Sequence, residues 1–147
     1  MSERREACVF CDIVRGTVPA TIVLEDGLVI ALLDLRQANP GHVLVIPREH
    51  IPDIRSASDA IAAVINVTVA RVARAVSSVF PNDGLSIWHS IGEGGNQEVP
   101  HLHYHVHPRL IGDGLLDVYP TPPALPPRET LEQWGATLRE RLAKGVD

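Results

Sequence analysis

Cysteine is nearly absent: the chain of 147 residues contains two, Cys8 and Cys11, in one C-x-x-C pair. So small a number argues against a disulfide framework, which a domain of this size does not need. A thioredoxin-type redox pair is also disfavoured, because that motif follows a strand in a βαβ pattern and nothing strand-like precedes Cys8. Half of a zinc site is the better reading, with two more ligands supplied from elsewhere. Basic runs are missing too. With a net charge of −5 and a pI near 5.8, the protein lacks the basic face of a general nucleic-acid binder. A phosphate-bearing substrate would have to be held by local groups such as backbone N–H and imidazoles. No apolar segment reaches the roughly 20 residues needed to cross a bilayer. The first ten residues, MSERREACVF, are charged and lack the apolar stretch of a signal peptide. No internal repeat occurs. The expectation is a cytoplasmic protein, 45% hydrophobic and able to build one real core, with neither nucleic acid nor membrane as partner.

What the chain does have is histidine in an unusual place. His101-Leu102-His103-Tyr104-His105-Val106-His107 alternates imidazole and apolar side chains. Alternation at period 2 predicts a strand with its histidines on one face. Same-face neighbours then stand roughly 6.6–6.8 Å apart, close enough for one imidazole to position or polarise the next, or for two to share a metal. Packing alone does not explain four such residues on one face, because a histidine is costly to bury without partners.

Around this stretch the rest of the chain reads as alternating short strands and helices. Val9, Phe10, Ile13 and Val14 sit at helical spacings, and Gly16 can end that short helix. Strands are predicted at Thr21–Leu24, Leu28–Leu33 and His42–Pro47, with Glu25-Asp26-Gly27 and Asn39-Pro40-Gly41 as turns. The third strand is β-branched and almost wholly apolar, hence central. A helix begins near Ser56 or Ser58 and carries Ile61, Val64, Ile65, Thr68, Val72, Val76 and Val79 as one stripe. Its β-branched residues lower helix propensity, so packing on a sheet must hold it. Leu85–His89 is a fourth strand. Gly92, Gly94 and Gly95 then form a loop whose backbone N–H groups suit phosphate. Beyond residue 110 the character changes to a Pro-rich linker, Pro120 to Pro127, followed by a helical pattern from Arg128 to Lys144 with Leu131, Trp134, Leu138 and Leu142 on one side.

These motifs resemble those of the histidine-triad (HIT) superfamily, near its bacterial zinc-containing branch and the histidine-triad nucleotide-binding proteins. Gln97–Arg109 is similar to the family signature, in which three histidines alternate with apolar residues. Asn39–His50 resembles its first core motif, and Cys8–Val14 its zinc-bearing N-terminus. The resemblance implies an α+β fold: a five-stranded antiparallel sheet with one long helix and a short N-terminal helix, paired as a homodimer. The family-like domain would be 1–110, and 111–147 a Pro-rich linker and C-terminal helical tail packed on the body or on the dimer partner. It further implies a structural Zn2+ on Cys8, Cys11, His50 and His101, and an AMP-like purine nucleotide as ligand. His103 would be the nucleophile, with His105 and His42 as flanking donors. Phe10 and Ile13 would lie against the base, although ordinary core explains them equally well. Asp34 would hold the ribose, with Leu35 beside it, and Ser90, Asn96, Gln97 and Glu98 would surround the phosphates. Three positions depart from the pattern. His107 replaces an apolar residue and is expected at the rim or surface, Glu98 stands where some members carry a hydroxyl, and Ser90 where close relatives carry an amide.

The implied activity is hydrolysis or transfer at the α-phosphate of a nucleotidyl compound of the adenosine phosphoramidate type, through a covalent nucleotidyl-histidine. That chemistry suits imidazole, which is largely unprotonated near pH 7 and nucleophilic there. A dinucleoside polyphosphate hydrolase or phosphorylase is an alternative within the same class. A zinc-stabilised nucleotide-binding module with little turnover, and a hydrolase holding a metal directly on the histidine row, are alternatives from other classes.

Overall fold

In a computed structural model describing residues 7–145, the chain divides into two compact units, Met1–Asp113 and Gly114–Asp147. The charged segment 1–6 lies outside the described residues. The first unit opens with α1 (Val9–Arg15), capped by Cys8, whose sulfur accepts from the Cys11 N–H, and ended by Gly16 in the left-handed region at φ 78°. Five strands follow: β1 (Ile22–Glu25), β2 (Val29–Leu33), β3 (Val43–Pro47), β4 (Gly84–Trp88) and β5 (Tyr104–Arg109). They form one antiparallel sheet in the order β1-β2-β3-β5-β4, which makes β3 central as its composition predicts.

Every residue of β3 is buried, because both faces of the sheet are covered. One face receives α2 (Asp59–Val79), N-capped by Ser58. Its stripe of Ile61, Ile65, Val69, Val72 and Val76 packs on Val29, Val43, Val45, Leu102 and Val106. By length and hydropathy α2 could cross a membrane, contrary to the expectation from sequence. It is rich in Ala and Val and poor in charge, and the sheet covers its apolar stripe. The opposite face carries Ile30, Leu32, Leu44 and Ile46 against Phe10 and Ile13 of α1. The histidine row emerges on this second face.

The predicted seven-residue histidine strand is shorter than expected. Ladder pairing of β5 begins at Tyr104, and His101–His103 precede it in irregular extension. The reason is the neighbouring backbone: the Leu102 N–H donates to Ile51 O in the loop after β3, at 2.6 Å, rather than to a strand. The alternation survives this, since Leu102 and Val106 enter the α2-side core while the imidazoles face the other way. In the second unit, α3 (Arg128–Ala143) follows the Pro-rich segment and contains no buried residue.

Candidate active site and metal centre

His42 reaches the site on the loop between β2 and β3. Gln37 organises that loop with one side-chain amide: Nε2 donates to Asp34 O at 2.6 Å and to His42 O at 2.9 Å. Its Oε1 accepts from the N–H groups of Gly41 and His42, at 2.8 and 3.1 Å. Gly41 is required here, because its φ is +107° and a Cβ would stand 2.6 Å from the Phe80 ring. Asp34 Oδ1 accepts from the Arg36 N–H at 2.8 Å, and its Oδ2 stands 3.6 Å from His42 Nδ1.

Register brings the remaining imidazoles to His42. His105 pairs with Leu44 of β3 on one side and Trp88 of β4 on the other, so all three side chains share a face. His42 Nε2 and His105 Nδ1 lie 2.9 Å apart and share a hydrogen bond. Trp88 stacks flat on His105, ring centroids 4.3 Å apart and planes inclined by 5°. Val43 pairs with Val106, which leaves His42 beside His107, their ring centroids 4.5 Å apart. His107 is therefore no rim residue. It is 5% exposed, its Nδ1–H donates to Pro108 O at 2.8 Å, and its ring walls His42 on the side away from the nucleophile candidate.

His103 is the most constrained of the row. Its Nδ1–H donates to His101 O at 2.7 Å, a carbonyl being an acceptor only, so the lone pair of the neutral ring sits on Nε2. Phe10 meets its ring edge-on, centroids 5.1 Å apart. Thus Phe10 belongs to the core and also supports the candidate nucleophile, while Ile13 lies in the same core cluster. Burial holds His103 below the ordinary histidine range, against the opposing pull of the hydrogen bond to His101, Asp34 and Glu98. His42 is lowered by burial too, with Asp34 opposing. His105 is pushed down to about 3, by burial first and then by the neighbouring His103. In all three, burial favours the uncharged ring.

The second cluster joins α1 to the histidine row. His101 Nδ1 stands 3.5 Å from Cys8 Sγ and 3.6 Å from Cys11 Sγ, and His50 Nδ1 stands 3.2 Å from Cys11 Sγ. Tetrahedral bonds of about 2.3 Å to sulfur and about 2.0–2.1 Å to nitrogen give S···N edges of roughly 3.5 Å, which matches this spacing. A fixed tautomer is in place as well: His101 Nε2–H donates to Pro47 O at 2.8 Å and leaves Nδ1 aimed at the thiols. Cys8, Cys11, His50 and His101 can therefore bind a metal ion, and the donor set is compatible with zinc. His101 links the two clusters, since its ring faces the thiols while its carbonyl orients His103.

Of the remaining predicted residues, Asn96, Gln97 and Glu98 line an open cleft with Gly92, Glu93 and Pro100, whereas Leu35 borders a separate hollow with Asp34 and Gln37. Ser90 lies half-buried just beyond the end of β4, and Leu35 is 97% exposed. Glu98 pairs with Arg36 at 3.5 Å, both side chains largely in solvent. The glycine loop differs from expectation. The N–H groups of Gly92, Gly95, Asn96 and Gln97 bond within the loop, so fewer face outward than the glycine count implied. Gln97 fixes the loop, its Oε1 accepting from Gly92 N–H and its Nε2 donating to Pro52 O at 2.7 Å.

An N-terminal Cys/His cluster beside a row of neutral imidazoles on a five-stranded sheet defines a class, and comparison with known proteins agrees. The chain belongs to the HIT family: the HIT domain model matches residues 15–110. The protein called Protein hit of Bacillus subtilis is 37% identical over 139 residues, covering 94% of this chain and 96% of that one. Adenosine 5'-monophosphoramidase hnt1 of Schizosaccharomyces pombe is 33% identical over 103 residues, covering 70% and 74%. Among solved structures, a HIT family member from Bacillus subtilis superposes with a TM-score of 0.80 at 33% identity, covering 92% of this chain and 97% of that one. A Streptococcus mutans protein gives 0.84 at 34% identity, covering 95% and 88%.

Sequence reasoning missed Gln37, Trp88 and His89. Trp88 became visible only with the β4–β5 register, which no local pattern specifies. Gln37 carried a weak signal: an amide with two donors and one acceptor, in a loop that must satisfy its own backbone.

Proposed function

We propose that the protein is a nucleotidyl hydrolase or transferase acting at the α-phosphate of an adenosine phosphoramidate-type substrate, with His103 as nucleophile. The observation that carries this reading is the fixed tautomer of His103, a neutral imidazole whose Nε2 lone pair is free for attack. The name of the Schizosaccharomyces pombe relative points to the same substrate class. Glu93 on the cleft favours it over a dinucleoside polyphosphate, since a carboxylate repels a polyanionic leaving group.

The Nε2 lone pair forms a bond to phosphorus as the bond to the leaving amine breaks, and the amine takes a proton from solvent water as it departs. Water then attacks phosphorus, the P–N bond to His103 breaks, and the nucleoside monophosphate leaves. With the proton of the His42–His105 hydrogen bond on His42 Nε2, His105 Nδ1 accepts it and His105 Nε2–H is left to donate to the phosphoryl oxygens as charge develops there. Asp34 steadies that proton from the His42 side. Nucleotide contacts are assigned to Asp34, Leu35, Ser90, Asn96, Gln97 and Glu98, with Phe10 and Ile13 behind them. Zinc bound by Cys8, Cys11, His50 and His101 would supply a structural tie and no chemistry, because four protein ligands leave no open coordination position.

The test is a trapped or single-turnover reaction with an adenylated substrate, read by mass spectrometry for AMP on His103. His103→Ala is expected to lose at least about 10⁴-fold in turnover, or about 5.5 kcal/mol, while nucleotide binding persists. Retained turnover in His103→Ala, or AMP found on another side chain, sinks the reading.

A further inference from the structure

We infer that His89, which the proposed reaction does not use, is a positioning residue that braces the backbone of the nucleophile His103 against the loop after β3. The inference rests on the role proposed above for His103.

The two ladders that hold β5 stop short of the nucleophile. Pairing with β3 runs to Val45↔Tyr104, and pairing with β4 to Trp88↔His105. At the next carbonyl, His103 O, a side chain supplies a donor: His89 Nδ1–H, at 3.2 Å. The other ring nitrogen of His89 accepts from the Ile54 N–H, also at 3.2 Å. A carbonyl can only accept and an amide N–H can only donate, so the two contacts independently require the same neutral tautomer, with its proton on Nδ1. A ring so committed has no free nitrogen for chemistry. Burial lowers the His89 pKa, in keeping with a neutral ring.

The partner at the far end matters as much. Residues 50–54 form a short segment with four separate ties to the site. His50 belongs to the Cys/His cluster, Ile51 O accepts from the Leu102 N–H, Pro52 O accepts from Gln97 Nε2, and Ile54 N–H meets His89. The segment is itself stiffened by Asp53, which accepts from the Arg55 backbone N–H and guanidinium. The backbone at Leu102 and His103 is thus held twice by one segment, directly at Leu102 N–H and through the His89 ring at His103 O. A nucleophile with no strand ladder on this peptide needs such a substitute, because in-line attack tolerates little displacement.

The test compares His89→Leu, which removes donor and acceptor, with His89→Gln, whose amide keeps one of each. With adenosine 5'-phosphoramidate, His89→Leu is expected to lose about 10- to 100-fold in kcat, with KM nearly unchanged, as for a displaced nucleophile. His89→Gln should recover most of that loss, and zinc content should match the wild type in both. Long-range 1H–15N spectra of the wild type should show His89 protonated at Nδ1, and His103 in a single tautomer that becomes mixed in His89→Leu. Wild-type kcat in His89→Leu overturns the inference. So does a loss that follows zinc content or thermal stability and is not recovered by Gln. Should His89→Leu fail to fold, an inactive His89→Gln or a wild-type His89 protonated at Nε2 overturns it. If the wild type itself neither turns over nor forms an adduct, the proposed function fails, and the spectra still decide whether the brace exists.

Discussion

Replacing Gly41 by alanine tests whether the β2–β3 loop delivers His42 in the manner described. Two costs can be worked out separately. A φ of +107° is rarely adopted by residues with a Cβ, and holding one there costs of order 1–3 kcal/mol. The new Cβ would also lie 2.6 Å from Phe80 Cδ2 and Cγ and 3.0 Å from Pro108 Cγ, an overpacking worth about 1–3 kcal/mol. Together they remove about 2–6 kcal/mol from a domain whose whole stability is about 5–15 kcal/mol, or roughly 6–20 °C in Tm. Urea and thermal unfolding of Gly41→Ala beside Gly84→Ala provide the assay. Gly84 has no neighbour within 4 Å of its ideal Cβ and no positive φ, so its change should stay within about 0.5 kcal/mol. A double-mutant cycle with Phe80→Ala then isolates the ring clash, since truncating the ring relieves it and leaves the backbone strain and the Pro108 contact. Below its Tm, Gly41→Ala should also turn over more slowly, because His42 follows directly and must stay within hydrogen-bond reach of His105. Equal stability of Gly41→Ala and Gly84→Ala would refute the account of this loop.

Metal analysis of the purified protein should find about one zinc per chain, and a strong chelator should lower Tm before activity is lost. Cys11→Ser should lose the metal and destabilise α1, and a Cys11→Ser protein with wild-type zinc content and Tm would count against the cluster. Acid should destabilise the fold through the imidazole row. Burial holds His105 down at about 3 in the folded protein, against 6.5 for a free imidazole, so the unfolded chain takes up its proton first as pH falls, and stability drops from about pH 7 downward. Full linkage for one such histidine gives about 1.3 kcal/mol between pH 7 and 5.5, reduced to about 0.5–1 kcal/mol by partial exposure. Urea midpoints at both pH values for wild type and His105→Gln should differ in slope by this amount, and parallel slopes would contradict the burial argument.

Local patterns in the sequence determined much of the fold. Apolar runs bounded by turn residues placed four strands to within one residue, while the alternating histidine strand begins three residues later than expected; Ser56 or Ser58 and Gly16 marked helix ends through their capping chemistry, and the all-apolar composition of β3 made it central. They also determined the facing of the row, because alternation fixes which side chains share a face whatever the partner strand. Tertiary structure decided which nitrogen of each histidine is free. Pro47 O sets the tautomer of His101 and His101 O that of His103, and His42 meets His105 only because β3 and β5 are paired in one register. It also decided that His107 is buried beside His42 instead of at the rim, and that residues 101–103 leave the ladder for Ile51 O. Apart from His103, whose acceptor is two residues away, these pairs are far apart in the chain, 54 positions for His101 and Pro47 and 63 for His42 and His105, and no local pattern encodes such a pair.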